Sequence, residues 1–272
     1  MAAPERVMHN AATASWGAVA LLRIVIIAAV ALAWEMLAAS GLLFRDVVPS
    51  LGAIGSAVLR LLADGGFYRN VAITVGEIAV ALAIGGLAGL AVGILLGANR
   101  FLSCAYESLI YYLGPTPKII FFPVLIMWFG VGSGSKIAMG VLSCFFPIAI
   151  SAAAGMRQID PILIRVGRSF RASTWHMIGK VYLPAMREPV VNGVRLGLGV
   201  AIIGTLLAET KLSNRGVGYL IIQAYSTFDM PRMYALLIVL FGLSIGANAL
   251  LGGLGRSSPA GPAPASARLP VQ

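Results

Sequence analysis

Charge is scarce in this sequence. Asp, Glu, Lys and Arg make up 11% of its 272 residues, against about 25% in soluble domains. With 59% hydrophobic residues and a mean hydropathy of +0.90, that scarcity excludes a soluble globular domain and implies an integral membrane protein. Histidine is almost missing: His9 lies in the leader and His176 in a basic loop. No apolar segment therefore carries a histidine, and with no nucleophile or metal cluster in view a membrane-embedded enzyme is disfavoured. Cysteine is equally sparse. Cys104 and Cys144 both fall in apolar segments with no spacing pattern, which implies neither a metal nor a disulfide. The glycine-rich stretch 130–136 lacks the features of a phosphate loop, because Ser135 rather than Gly precedes Lys136 and Ile137 follows it. It reads as a flexible connection, and the chain is expected to have no ATP site of its own. A net charge of +10 would suggest nucleic acid in a soluble protein. Here the cations sit mostly in loops between apolar runs, as anionic lipid and the positive-inside rule require, and no nucleic acid is expected.

What is present is a series of apolar runs. Residues 1–20 form a short polar leader expected on the cytoplasmic side, and 21–42 a first membrane helix, for which a signal peptide is the alternative reading. Residues 45–69 read as an amphipathic segment outside the bilayer, with a turn and helix start at Val48-Pro49-Ser50. A second span, 71–99, is interrupted only by Glu77 and carries Gly85, Gly89, Gly93 and Gly97 at four-residue spacing. Small residues so spaced share one helix face and let another backbone approach. A third, 104–130, contains Pro115, Pro117, Lys118 and Pro123, so a straight helix is not expected and a pathway lining is. Spans at 137–156, 189–208 and 233–255 follow, with 209–232 a polar return and 256–272 a Pro-, Ala- and Ser-rich tail expected to be disordered. The architecture is thus all-α, polytopic, with six transmembrane helices. Lys118 and Arg195 are the basic residues placed within these spans. With Glu77 and Glu209 they are the candidates for a translocation pathway; the alternative for Arg195 is a pairing with Glu77, Glu188 or Glu209.

The longest polar interruption of the second half is 157–188. It carries Arg157, Arg165, Arg168, Arg171, Lys180 and Arg187 against Asp160 and Glu188. Phe170, Met177, Ile178, Val181 and Tyr182 recur at three- and four-residue intervals, which predicts a short amphipathic helix closed by Leu183-Pro184. Two readings stay open on this pattern alone: a basic helix lying on the membrane surface, or a docking element for a partner protein. The cluster favours placing this loop and both termini in the cytoplasm.

Gly167-Arg168-Ser169-Phe170-Arg171-Ala172-Ser173, followed by Lys180-Val181-Tyr182-Leu183-Pro184, resembles the cytoplasmic signature of binding-protein-dependent ABC transporter permeases. Segment 123–132 with Lys136, then Gly193-Val194-Arg195-Leu196, Ala208-Glu209, Gly216-Val217-Gly218-Tyr219 and Trp34-Glu35, is similar to the nitrate/sulfonate/taurine branch. The likeness runs from about residue 30 to 250. The chain departs from the family pattern at Arg165-Val166-Gly167, where Glu-Ala-Ala is usual, and at Arg171, where glycine is usual. A glycine at the Arg171 position permits a tight turn or close backbone contact, and an arginine side chain is not expected to fit the same space. Glu77 stands where arginine is frequent, and Leu51 where a second proline is common.

The resemblance implies a type I ABC importer permease of a bacterial inner membrane. Its implied partners are two ATPase subunits, a second copy of the permease and an extracytoplasmic substrate-binding protein. ATP and magnesium would be held by the ATPase, with no cofactor on this chain. Gly167, Arg168, Phe170, Arg171, Ala172, Ser173, Met177, Lys180, Leu183 and Pro184 would dock on the ATPase. The solute would be a small anion such as a sulfonate or nitrate. An ion-coupled secondary transporter is the alternative, against which the lack of a clear internal repeat counts.

Overall fold

The structure, a computed structural model, describes residues 16–41 and 47–256, with side chains described for 18–41 and 47–253. Most of the expected leader, the end of the first span and the tail lie outside the described residues. Among the described residues the chain is all helix and turn, with no strand. It divides into two compact units, residues 1–64 with 223–237 and residues 65–222 with 238–272.

In the first unit α1 (Trp16–Ser40) and α2 (Leu51–Ala63) are joined by a capping arrangement. Ser50 is the N-cap of α2 and its hydroxyl accepts from the Ala53 N–H at 3.2 Å. Glu35 accepts from the exposed Leu51 N–H at 3.0 Å, and the Trp34 indole donates to the Pro49 carbonyl at 3.0 Å. From α1, Glu35 thus satisfies a free N–H at the start of α2, and Trp34 ties down the carbonyl just before it.

The second unit is built on α3 (Gly65–Ala98), whose 34 residues extend to about 50 Å, well beyond the hydrocarbon thickness of a bilayer. The helix starts at Gly65 rather than near residue 71, so residues 65–69, expected outside the bilayer with the amphipathic segment, belong to its first turns. Next come α4 (Arg100–Leu113), a 3₁₀ turn (Lys118–Phe121) and α5 (Phe122–Phe129). The third apolar segment is broken here by a bend of 91° between residues 100–113 and 118–129. Pro115 and Pro117 lie in that break, where they cannot donate backbone hydrogen bonds.

Helix α6 (Ser133–Arg157) is the centre of the unit, with half of its apolar window buried. Gly85, Gly89, Gly93 and Gly97 face it. A Cβ on Gly89 would lie 2.7 Å from the Phe145 carbonyl oxygen, and one on Gly93 would lie 2.5 Å from that of Ala149. Nothing but hydrogen fits, so α3 and α6 meet at backbone distance, and dispersion contact replaces the hydrophobic drive that lipid does not supply. On another side Gly193, Gly197 and Gly204 bring α10 (Arg187–Lys211) onto Ser151, Ile148 and Ser143 of α6. The loop between α6 and α10 folds as α7 (Pro161–Ser169), α8 (Thr174–Met177), a π turn (Ile178–Tyr182) and α9 (Leu183–Ala185). Helices α11 (Val217–Ser226) and α12 (Met230–Arg256) complete the chain. Among the described residues five helices are long and apolar enough to cross a membrane, and the bent α4–α5 pair makes a sixth span if counted as one.

Candidate functional site

Two features of the second unit carry chemistry. The first is a buried polar cluster where α3, α6 and α10 come together. Glu209 is 1% exposed, within the last turn of α10. The Thr74 hydroxyl donates to its Oε1 at 2.6 Å and the Gly218 N–H to its Oε2 at 2.6 Å, while Thr74 Oγ1 accepts from the Val217 N–H at 2.8 Å. Asn70 Oδ1 accepts from the Gly216 N–H at 2.8 Å. Three successive amides at the start of α11 are thus held by side chains of α3 and α10. The turn requires glycine twice. Gly216 has φ +97°, and a Cβ there would run into the Glu209 carboxylate; one on Gly218 would lie 2.6 Å from Glu209 Cβ.

Glu77, also buried, lies against Glu209, and its Oε2 has no hydrogen-bond partner among the described residues. Lys136 supplies the opposite charge to both carboxylates. It is 2% exposed, and its ammonium donates to the carbonyls of Val131 and Gly132, the latter at 3.0 Å. Glu77, Ser133, Lys136, Asn214 and Arg215 line a polar cleft of about 270 Å³. Two expectations are corrected here. Residues 133–136 are not flexible but form the first turn of α6, which places the buried Lys136 within a candidate span. Glu209 does not open a polar return; it ends a helix and fastens the next.

The second feature is the loop between α6 and α10. It is not one amphipathic helix. Helix α7 ends at Ser169, and the chain turns through Arg171 at φ +51°, with the Ala172 N–H bonded to the Gly167 carbonyl at 3.2 Å and the Arg171 N–H to that of Arg168 at 2.9 Å. This is a left-handed helix cap, normally glycine, occupied by arginine. The Arg171 side chain is exposed, so within this chain the departure from glycine is borne by the backbone. Gly167 packs against the buried Met177, whose Sδ a Cβ would meet at 2.5 Å. Ser173 then caps α8, its hydroxyl paired with His176 Nδ1 at 2.8 Å.

Leu183-Pro184 does not close the helix. Pro184 sits in the first turn of α9 directly after the π turn, where the Leu183 N–H bonds to the Ile178 carbonyl. The wider turn gives room for a proline ring and leaves its missing N–H without consequence; α9 ends at Ala185, and the turn residue Met186 (φ −92°, ψ 7°) leads into α10. The outer surface presents Phe170 and Trp175, each 83% exposed, amid Arg165, Arg168, Arg171 and Lys180.

The remaining candidates lie apart from both features. Lys118 turns its ammonium onto the carbonyls of Gly114 and Thr116, the second at 3.3 Å, and stands 5.1 Å from the centre of the Phe146 ring. It satisfies carbonyls freed where α4 breaks. No ion pair joins Arg195 to Glu77, Glu188 or Glu209 among the described residues, and it lies exposed beside Gly252. The cluster's essential cation, Lys136, was missed because glycines and serines around it resemble a linker. Its position four residues beyond Gly132, at the start of a long apolar run, was the available signal.

Known proteins share this architecture. The family described as binding-protein-dependent transport system inner membrane component matches residues 66–257. A putative aliphatic sulfonates transport permease protein of Bacillus subtilis (strain 168) is 30% identical over 76% of this chain and 75% of its own. The taurine transport system permease protein of Escherichia coli (strain K12) is 30% identical over 69% of this chain and 70% of its own. A bicarbonate transport system permease protein of Synechococcus elongatus is 29% identical over 69% and 66%. Among solved structures, the MetNI methionine ABC transporter in inward-facing form has a chain that superposes with a TM-score of 0.63 at 21% identity. That match covers 73% of this chain and 96% of the other, a likeness of fold alone.

Proposed function

Since this chain belongs to the family of binding-protein-dependent transport inner membrane components, we propose that it passes a small anion across the inner membrane under the control of partner ATPase subunits docked on its 158–186 loop. The chain is the permease of a binding-protein-dependent importer. What we add is the way its own residues take part. The observation that carries the docking assignment is the loop's outer surface, where two aromatic rings stand almost wholly exposed among four cations. Exposed aromatics rimmed by arginine are the composition of a protein interface centre rather than of a solvated face. Lipid alone would favour cations without rings directed away from the bilayer.

The π turn and α9 are joined to α10 through the single turn residue Met186, and α7 follows α6 after a short turn at 158–160. A partner that grips Phe170, Trp175 and the surrounding arginines therefore acts on α6 and α10 together. Closure of two ATPase subunits on ATP, bound with magnesium on those subunits, would tilt the α3–α6–α10 body as one piece. A second copy of the permease would complete the pathway, and an external binding protein would deliver the solute. We assign the pathway to the side carrying the bent α4–α5 pair, with Lys118 at the break, and the polar cleft of Glu77 and Lys136. The anion assignment draws on these cations and on relatives named for sulfonates, taurine and bicarbonate. Both termini are assigned to the cytoplasm, on the side of the loop.

The test is stimulated ATP hydrolysis by the full assembly in proteoliposomes, comparing wild type with Phe170→Ala/Trp175→Ala. The double variant should keep its subunits together at high protein concentration and lose at least about tenfold of the stimulation, since central aromatic anchors carry about 2 kcal/mol or more. Unchanged stimulation would overturn the docking assignment. Solute uptake driven by an ion gradient without ATP would replace it with a secondary transporter.

A further inference from the structure

Beside the polar cluster, whose Thr74 and Val217 share in its lining, the second unit contains an apolar groove of about 290 Å³ between candidate spans. Val75 and Leu82 of α3, Leu198 of α10, and Leu243, Ala247 and Leu251 of α12 are among its walls. From Leu240 to Leu251 the α12 wall runs about 16 Å at 1.5 Å per residue. That is close to the half-thickness of a bilayer's hydrocarbon core, about 15 Å.

One end of this groove is charged. A Cβ on Gly252 would lie 3.4 Å from Arg195 Nη2, so the glycine leaves the guanidinium room against α12. Arg195 is exposed and, among the described residues, joined to no carboxylate. Glu188, the nearest acid on its own helix, is two turns away, about 10 Å along the axis. Helix α12 contains no acidic residue. A charged group within a span is costly unless something of opposite charge meets it or it reaches the interface.

We propose that this groove is a site for one anionic phospholipid, with an acyl chain along α12 and the phosphate on the Arg195 guanidinium. Arginine presents a planar fork of donors that matches phosphate oxygens in pairs. The groove's length and its apolar walls match one leaflet's depth of acyl chain. Its charged end is the end of α10 nearest the 158–186 loop. With the orientation proposed above, that is the cytoplasmic leaflet, where anionic lipids give the surface its negative potential. A second copy of the chain seated there by twofold symmetry would present the same groove in return, and its walls offer no carboxylate for Arg195. Charge complementarity thus favours the lipid.

Native mass spectrometry of the full assembly, supplied with equal amounts of phosphatidylglycerol and phosphatidylcholine, reads the proposal directly. Wild type should retain phosphatidylglycerol about tenfold over phosphatidylcholine, the weight of one charge-assisted pair. Arg195→Gln should abolish that preference, Arg195→Lys should keep most of it, and Ala247→Phe should lower retention of both lipids by filling the groove. Equal retention of the two lipids by wild type would overturn the proposal, as would undiminished preference in Arg195→Gln. Disulfide formation between two Ala247→Cys copies would also overturn it, since a second chain would then occupy the groove. None of these readouts depends on ATPase docking, so failure here and failure of the importer mechanism are distinguishable.

Discussion

Replacing Glu209 tests whether the start of α11 is held by one buried carboxylate. Two donors depend on that group directly, the Thr74 hydroxyl at 2.6 Å and the Gly218 N–H at 2.6 Å, and a third, the Val217 N–H, depends on Thr74. All are buried, so a lost acceptor is not replaced by bulk water. In Glu209→Ala two orphaned donors cost about 1–3 kcal/mol each, roughly 2–6 kcal/mol together. At about 1.4 kcal/mol per tenfold, local opening rises by about 30-fold to 10⁴-fold. Glu209→Gln is milder. Its carbonyl oxygen can accept from Gly218 while its amide faces Thr74 Oγ1, which leaves only the Thr74 proton without a partner, or about 1–3 kcal/mol and roughly 5- to 150-fold. The assay is amide hydrogen exchange of the purified assembly, followed in peptides spanning residues 215–220, with the 158–186 loop as internal reference. The expected order is Ala faster than Gln, and Gln faster than wild type, with residues 161–186 unchanged. Exchange in Glu209→Ala equal to wild type at 215–220 would refute the reasoning, because the amides would then not rely on the carboxylate.

Other changes give directions as definite. Arg171→Gly relieves a left-handed backbone cost of about 1 kcal/mol and should slow exchange of the Ala172 amide about fivefold; faster exchange would contradict the turn. Gly93→Ala drives a methyl into the Ala149 carbonyl and Ala152, and should lower the stability of the α3–α6 pair by about 1–3 kcal/mol in thermal unfolding. Gly76→Ala, where nothing lies within contact, is the control and should stabilise by up to about 1 kcal/mol. Glu107→Gln removes the 2.7 Å pair with Arg157, but the Arg157 side chain is exposed and that of Glu107 partly so, and the loss should stay under about 1 kcal/mol and shrink further with salt.

Much of this was legible before any coordinates. Long uncharged runs have one use, and their number and order follow from hydropathy. The prolines between α4 and α5 announced a break because a missing N–H cannot be hidden in a straight helix. What a one-dimensional pattern obscures is context. Lys136 reads as a linker residue until α6 is seen to begin at Ser133 and bury it against carbonyls. Glu209 reads as the first polar residue of a return, because a buried carboxylate is recognised only through the amides that approach it from residues 216–218. Pro184 signals a helix end by local rule, and the π turn before it sets the rule aside. Arg171 was legible as an anomaly, yet only the sign of its φ shows that the backbone of this chain bears a cost there.

The central claim is that the 158–186 loop holds the ATPase, and co-purification tests it most directly. Wild type and a Phe170→Glu/Trp175→Glu chain would each be isolated in mild detergent with the candidate ATPase subunits, after exchange protection has shown the second unit intact in both. The account predicts stoichiometric ATPase with wild type and none with the charge-bearing loop. Equal recovery with both, or no ATPase with either, would contradict it.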